Sequence, residues 1–142
     1  MANYYVTGRT NYFKVNDVEK LKKLAAKIPT EDGEAIVIEG DKNTYAIAGF
    51  GVLSQYYDEE LDDFVDIHEK IQELLPDGEA CIIIEIGNEK LTYLNAAADI
   101  ITNKKVVCIN LYQYASQMAR KLLDDDKKEF KYTSLTDESS FH

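Results

Sequence analysis

Hydrophobic positions along this chain change period several times, and each change marks an element. The opening run NYYVTGRTNYFKV alternates and is rich in Tyr, Val, Thr and Phe, residues that suit a pleated surface. It predicts a strand with an irregularity at Gly8, ending near Val15. Asn16 with Glu19 three residues on has the form of a capping box. Val18, Leu21, Leu24, Ala25 and Ile28 then fall on one helical face, closed by Pro29. In EAIVIEGDKNTYAIAGFG, two β-rich runs flank Gly40-Asp41-Lys42-Asn43, the composition of a hairpin turn. Beyond it Leu61, Phe64, Val65, Ile67, Ile71, Leu74 and Leu75 recur at helical spacing up to Pro76-Asp77-Gly78, predicting an amphipathic second helix. The segment EACIIIEIGNEKLTYLNAAADIITNKKVVCINL reads as a meander of three strands turning at Gly87-Asn88 and Asn103-Lys104. Its continuous apolar stretch ACIIIEI predicts that this meander forms the centre of the sheet. A last helix from about Asn110 places Leu111, Ala115, Met118, Ala119 and Leu122 on its buried face.

The resulting order is β-α-β-β-α-β-β-β-α. Short hairpins dominate, so the fold class expected is α+β, a mainly antiparallel sheet with helices on one face. The first six elements follow the order of a split β-α-β motif. A chain of 142 residues suits one domain able to bury a core. We place that globular domain at residues 1–123 and expect 124–142, which includes DDDKKEFKYTSLTDESSFH from Asp124, to be a polar, mobile tail.

Charge narrows the function classes. With 26 acidic against 16 basic residues the formal charge is −10. That balance excludes a protein that binds nucleic acid by neutralising phosphates, and a basic membrane-surface helix. No apolar run approaches the roughly 20 residues of a membrane span, and MANYYVTGRT lacks the apolar core of a secretory signal, so a cytoplasmic protein is expected. The negative charge concentrates in YYDEELDDFVDIHEK, Tyr56 to Lys70, where seven carboxylates fall within fifteen residues. On the predicted second helix they take the outward positions.

Catalytic and metal chemistry find little support. Asp58, Asp62 and Asp66 with nearby His68 suggest a cation site, yet on a helix His68 lies far around the axis from Asp66, so no metal is expected. His142 belongs to the tail. There is no G-x-S-x-G, no phosphate loop and no dinucleotide fingerprint, so no enzymatic activity and no cofactor are expected. Cys81 and Cys108 sit in apolar strand-like runs and should be buried, reduced and inert. Arg9 and Asn11 share one face of the first strand beside Tyr12, where they bind a polar ligand or bond within the sheet edge. Glu85, Glu89 and Lys90 surround a tight turn and predict a cross-strand ion pair.

NYFKV followed by a short helix, an acidic middle segment and the run GNEKLTYL together resemble small acidic proteins of bacterial mobile elements and phages, of the anti-CRISPR and antirestriction kind. The resemblance spans roughly Asn11 to Leu111. It implies a non-enzymatic inhibitor of a defence nuclease, with a protein partner, such as a CRISPR effector, that presents a basic nucleic-acid channel, and no direct contact with nucleic acid or membrane. Lys20, Lys22, Lys23 and Lys27 make the first helix basic, which confines the mimicry of phosphates to a local patch. The residues expected to meet the partner are Tyr56, Tyr57, Asp58, Glu59, Asp62, Asp63 and Asp66. The alternative is a small regulatory or housekeeping binding module whose acidic face is merely solvated.

Overall fold

The run ACIIIEI does build the middle of a sheet. In the computed structural model, which describes residues 4–89 and 93–125, strand β8 (Cys81–Glu89) pairs antiparallel with β1 (Tyr4–Thr10) on one side and β9 (Tyr93–Ile101) on the other. Beyond β1 lie β5 (Tyr45–Gly49) and β4 (Ile36–Glu39), and beyond β9 lies β10 (Val106–Asn110). The six-stranded sheet has the order β10-β9-β8-β1-β5-β4, with every pairing antiparallel. Two short ribbons, β2–β3 (Pro29–Thr30, Gly33–Glu34) and β6–β7 (Gln55–Asp58, Asp63–Asp66), complete the strands. Helices α1 (Val18–Ala26), α2 (His68–Leu74) and α3 (Leu111–Asp125) make this an α+β fold.

The strand pleat divides the sheet into two unlike faces. Cys81, Ile83 and Ile101 point to the inner side with Ile47, where Leu21, Leu24 and Ala25 of α1 and Ile71 and Leu74 of α2 close over them into one core. Gly8 of β1 faces that side opposite Glu85, and Leu53 occupies the space a side chain there would need: a Cβ would lie 2.7 Å from Leu53 Cγ. Glu85, also inward, accepts the backbone N–H groups of Leu53 (2.7 Å) and Ser54 (3.1 Å). The cross-strand ion pair expected among Glu85, Glu89 and Lys90 involves Lys90, which lies outside the described residues.

Neither α1 nor α2 covers the outer face, and α3 borders it where Leu111 and Tyr114 line a groove with Ile84, Ile86 and Ala98. Tyr5, Ile36, Ile84, Ile86, Leu94 and Val107 are all exposed on it. The contrast is sharp within one strand, since Ile83 is 1% exposed and the next residue, Ile84, is 48% exposed.

Several elements differ from expectation. β1 ends at Thr10, and Phe13 makes an isolated bridge to Tyr45. Asp17, not Asn16, caps α1, accepting from the Lys20 N–H. Asn16 is spent on α2, its Nδ2 donating to the Glu73 carbonyl (3.0 Å) and its N–H to that of Leu74 (2.9 Å). β8 runs straight through Gly87-Asn88, the expected turn, and residues 90–92 between β8 and β9 lie outside those described. The meander supplies half of the sheet, with β8 beside its centre and β10 at its edge. On α3 the stripe expected to be buried is outward: Leu111, Ala115, Met118 and Leu122 are exposed, while Ser116 is buried and Tyr112, Ala119 and Leu123 are half-buried. α3 continues through Asp124 and Asp125, and the rest of the expected tail, from 126, lies outside the described residues. Among the described residues no helix is long and apolar enough to cross a membrane.

Candidate functional site

The acidic stretch is not a helix. Gln55–Asp58 and Asp63–Asp66 pair as an antiparallel hairpin, and helix α2 begins only at His68. Two short strands of aromatic and β-branched residues, Tyr56-Tyr57 opposite Phe64-Val65, favour pleated packing over a helix. Their alternation fixes the two sides. Tyr56 is buried in the core and Val65 packs against it, while Tyr57 and Phe64 face outward with their rings in edge-to-face contact, centroids 5.5 Å apart. The Ile67 N–H donates to the Ser54 carbonyl at 3.0 Å and holds the base of the hairpin to the body.

Its turn is organised by the acidic residues themselves. Asp58 Oδ1 accepts from the N–H groups of Glu60 (2.9 Å) and Leu61 (3.3 Å), an Asx turn. Asp62 adopts the left-handed region, φ 51°, which Asp and Asn enter more readily than most residues. The Tyr57 hydroxyl donates to Asp62 Oδ1, a bond that pushes the phenol above its ordinary value. Asp63 Oδ1 accepts from the Phe64 N–H at 2.8 Å.

Six of the seven sequence-predicted residues therefore stand together on one projecting ribbon, and the seventh, Tyr56, anchors it from beneath. Asp58 is half-buried, whereas Glu59, Glu60, Asp62, Asp63 and Asp66 are exposed. Between them Leu61 (68%) and Phe64 (62%) are among the most exposed large apolar residues. At the base the Lys27 ammonium lies 5.9 Å from the Tyr56 ring centroid. Lys20, Lys23, Lys27 and Lys70 line an adjoining cleft between α1 and α2, and Lys27 also borders Tyr57, Asp58 and Glu59, so the negative field belongs to the ribbon and not to this whole side of the molecule.

A second group was invisible in the linear sequence. His68 Nε2 lies 2.7 Å from Asp99 Oδ2, and Cys108 Sγ, His68 and Asp99 place one donor atom each within 4.8 Å of one another. These are transition-metal donor types, and a Zn²⁺ ion held by three protein ligands would take water as a fourth. The trio also ties α2 to β9 and β10 by hydrogen bonds without any ion. Cys108 is exposed, which corrects the expected burial. Slight desolvation, the hydrogen bond to Asp99 and the charges of Asp99 and Asp66 push its thiol up, away from the activated thiolate a nucleophile needs. Cys81 is fully buried, and burial pushes its thiol up to about 12.

The other sequence candidates have structural partners. Asn11 closes the start of β8, its Oδ1 accepting from the Ile82 N–H (2.7 Å) and its Nδ2 donating to the Ala80 carbonyl (3.0 Å). Arg9 lies over the Tyr12 ring, 5.3 Å from its centroid. No family profile, curated protein or solved structure matches this chain.

Proposed function

We propose that this protein is a non-enzymatic binding protein whose β6–β7 hairpin inserts into a basic, nucleic-acid-handling surface of a partner protein. The observation that carries this reading is the hairpin itself. It is a pre-ordered ribbon with five exposed carboxylates and exposed Tyr57, Leu61 and Phe64; Asp66 shares the side of Tyr57 and Phe64, and Asp63 lies on the other. Acidic faces that serve only solubility have no use for exposed aromatic residues at their tip, whereas interface centres are enriched in them. Partner arginines would pair with the carboxylates and stack on the Tyr57 and Phe64 rings. Lysine stems would lie along Leu61. Because the turn is already held by Asp58, Asp62 and Asp63, little ordering cost falls on binding.

Within that class the resemblance to anti-CRISPR and antirestriction proteins selects a defence nuclease as partner, inhibited by competition for its nucleic-acid channel. The test is inhibition of target cleavage by a panel of RNA-guided and restriction nucleases. The variant combines Asp58→Asn, Glu59→Gln, Asp62→Asn, Asp63→Asn and Asp66→Asn, which keeps the turn acceptors while removing five charges. Wild type is expected to inhibit a member of the panel, and the variant to need at least about tenfold more protein, a gap that narrows as salt rises. Equal inhibition by both, at matched folding, contradicts the reading.

A further inference from the structure

We infer that a second copy of this chain covers the open outer face of the sheet, forming a two-fold dimer in which β8 and β9 of each copy pack across those of the other. The inference is independent of the hairpin reading, since the hairpin's Tyr56 anchors it to the core on the helix-covered side.

Area is the first support. Six large apolar side chains on the sheet and four on α3 (Leu111, Tyr114, Met118 and Leu122) are each 41 to 65% exposed. At about 100 Å² apiece they present about 1,000 Å² of apolar surface, more than the about 800 Å² per partner of a standard interface. The largest such patch on an ordinary monomer is about 300–600 Å². The two elements share one groove of about 300 Å³, where Ile84, Ile86 and Ala98 of the sheet meet Leu111 and Tyr114 of α3. The α3 stripe thus has the spacing of a buried face and adjoins an unburied sheet.

Charge selects the occupant. The strand register puts no Asp or Glu on the outer face among the described residues; Glu85, Glu89 and Asp99 all fall on the inner side. The outer face's one described charge is Arg9, stacked on Tyr12. In a chain of net charge −10, a face free of carboxylates lets two like-charged copies approach, whereas a basic partner would gain nothing there. Relief points the same way. Ile84 and Ile86 form a ridge on β8, and Ala98 and Ala96 opposite them form a low track on β9, closed at one end where Ile82 stands opposite Ile100. A two-fold rotation seats the ridge of one copy on the track of the other, with sheets about 10 Å apart.

Sedimentation equilibrium of the full chain over a wide concentration range tests this. Wild type is expected to reach a mass near twice 16.1 kDa. Ile84→Lys with Ile86→Lys should weaken association at least about tenfold while the circular dichroism spectrum is retained, because both positions are exposed in the single chain. Met118→Glu with Leu122→Glu, on a different element, should do the same and guards against a misfolded strand variant. Added salt should strengthen association by screening the net repulsion. A wild type that stays monomeric at every concentration, or a dimer that survives both folded variants, overturns the inference; a monomer leaves the face to residues 126–142 or to another protein.

Discussion

The β6–β7 hairpin and the outer sheet face are both antiparallel ribbons, yet they use the pleat in opposite ways. In the hairpin Tyr56 and Val65 are secured by the core, with Asp58 and Asp63 on the same side nearer the turn, and the outward positions join Asp66 to a small aromatic pair. In the sheet the first half of β8, Cys81 to Ile84, is apolar on both sides, which is the pattern of a strand buried on both. Ile83 on the inner side is buried, whereas Ile84 and Ile86 on the outer side are exposed. The comparison teaches that the molecule separates its two surfaces by charge: the hairpin is rich in carboxylates, and the outer face carries none among the described residues.

The largest effect that sharpens this contrast lies within a single strand. Ile83→Ala, in the core, is expected to lower the unfolding free energy by about 2–5 kcal/mol, whereas Ile84→Ala should change that of the single chain by under about 0.5 kcal/mol. Chemical denaturation at low protein concentration measures both, and equal losses would mean that Ile84 is already buried within one chain. Next comes pH. Cys81 has a thiol raised from the ordinary 9.0 to about 12 by burial, so the folded state holds its proton more tightly than the unfolded one. That contribution is complete below pH 9 and is lost as pH rises toward 12, by up to about 1.4 kcal/mol per unit. Cys81→Ala should flatten the alkaline limb of a melting-temperature profile, and an unchanged limb would refute the link. The contrast with Cys108 can be read by labelling: a thiol reagent at neutral pH should modify exposed Cys108 and spare Cys81. The smallest effect is on the hairpin. Phe64→Ala removes the edge contact with Tyr57 and should cost the fold about 0.2–1 kcal/mol, while weakening partner binding more than that cost explains.

What the linear pattern reveals depends on how local each element is. The Gly40 to Asn43 turn was legible because the special backbone of Lys42 and Asn43, φ 55° and 60°, is a matter of adjacent residues. Helix α1 followed from the spacing of Leu21, Leu24 and Ala25. The hairpin was misread because Leu61, Phe64 and Val65 keep step by chance with the real periodicity of Ile67, Ile71 and Leu74, and strands of four residues are too short to show alternation against it. The seven partner-facing candidates still cluster, since a hairpin gathers neighbours as a helix does. On α3 the period was read correctly, but periodicity says only that a face seeks cover, not that the same chain supplies it. The His68, Asp99 and Cys108 group could not be seen at all: 31 residues separate His68 from Asp99, and only the sheet register brings Cys108 opposite Asp99.

The central claim is that the hairpin occupies a basic nucleic-acid surface on its partner, and displacement measures that most directly. Labelled nucleic acid bound to a nuclease that the protein inhibits is titrated with wild type and with the five-residue neutralised variant across a range of salt. The account predicts that wild type displaces the label, that its apparent affinity falls as salt rises, and that the variant displaces at least about tenfold more weakly at low salt. Displacement of equal strength by the two proteins, insensitive to salt, would contradict it.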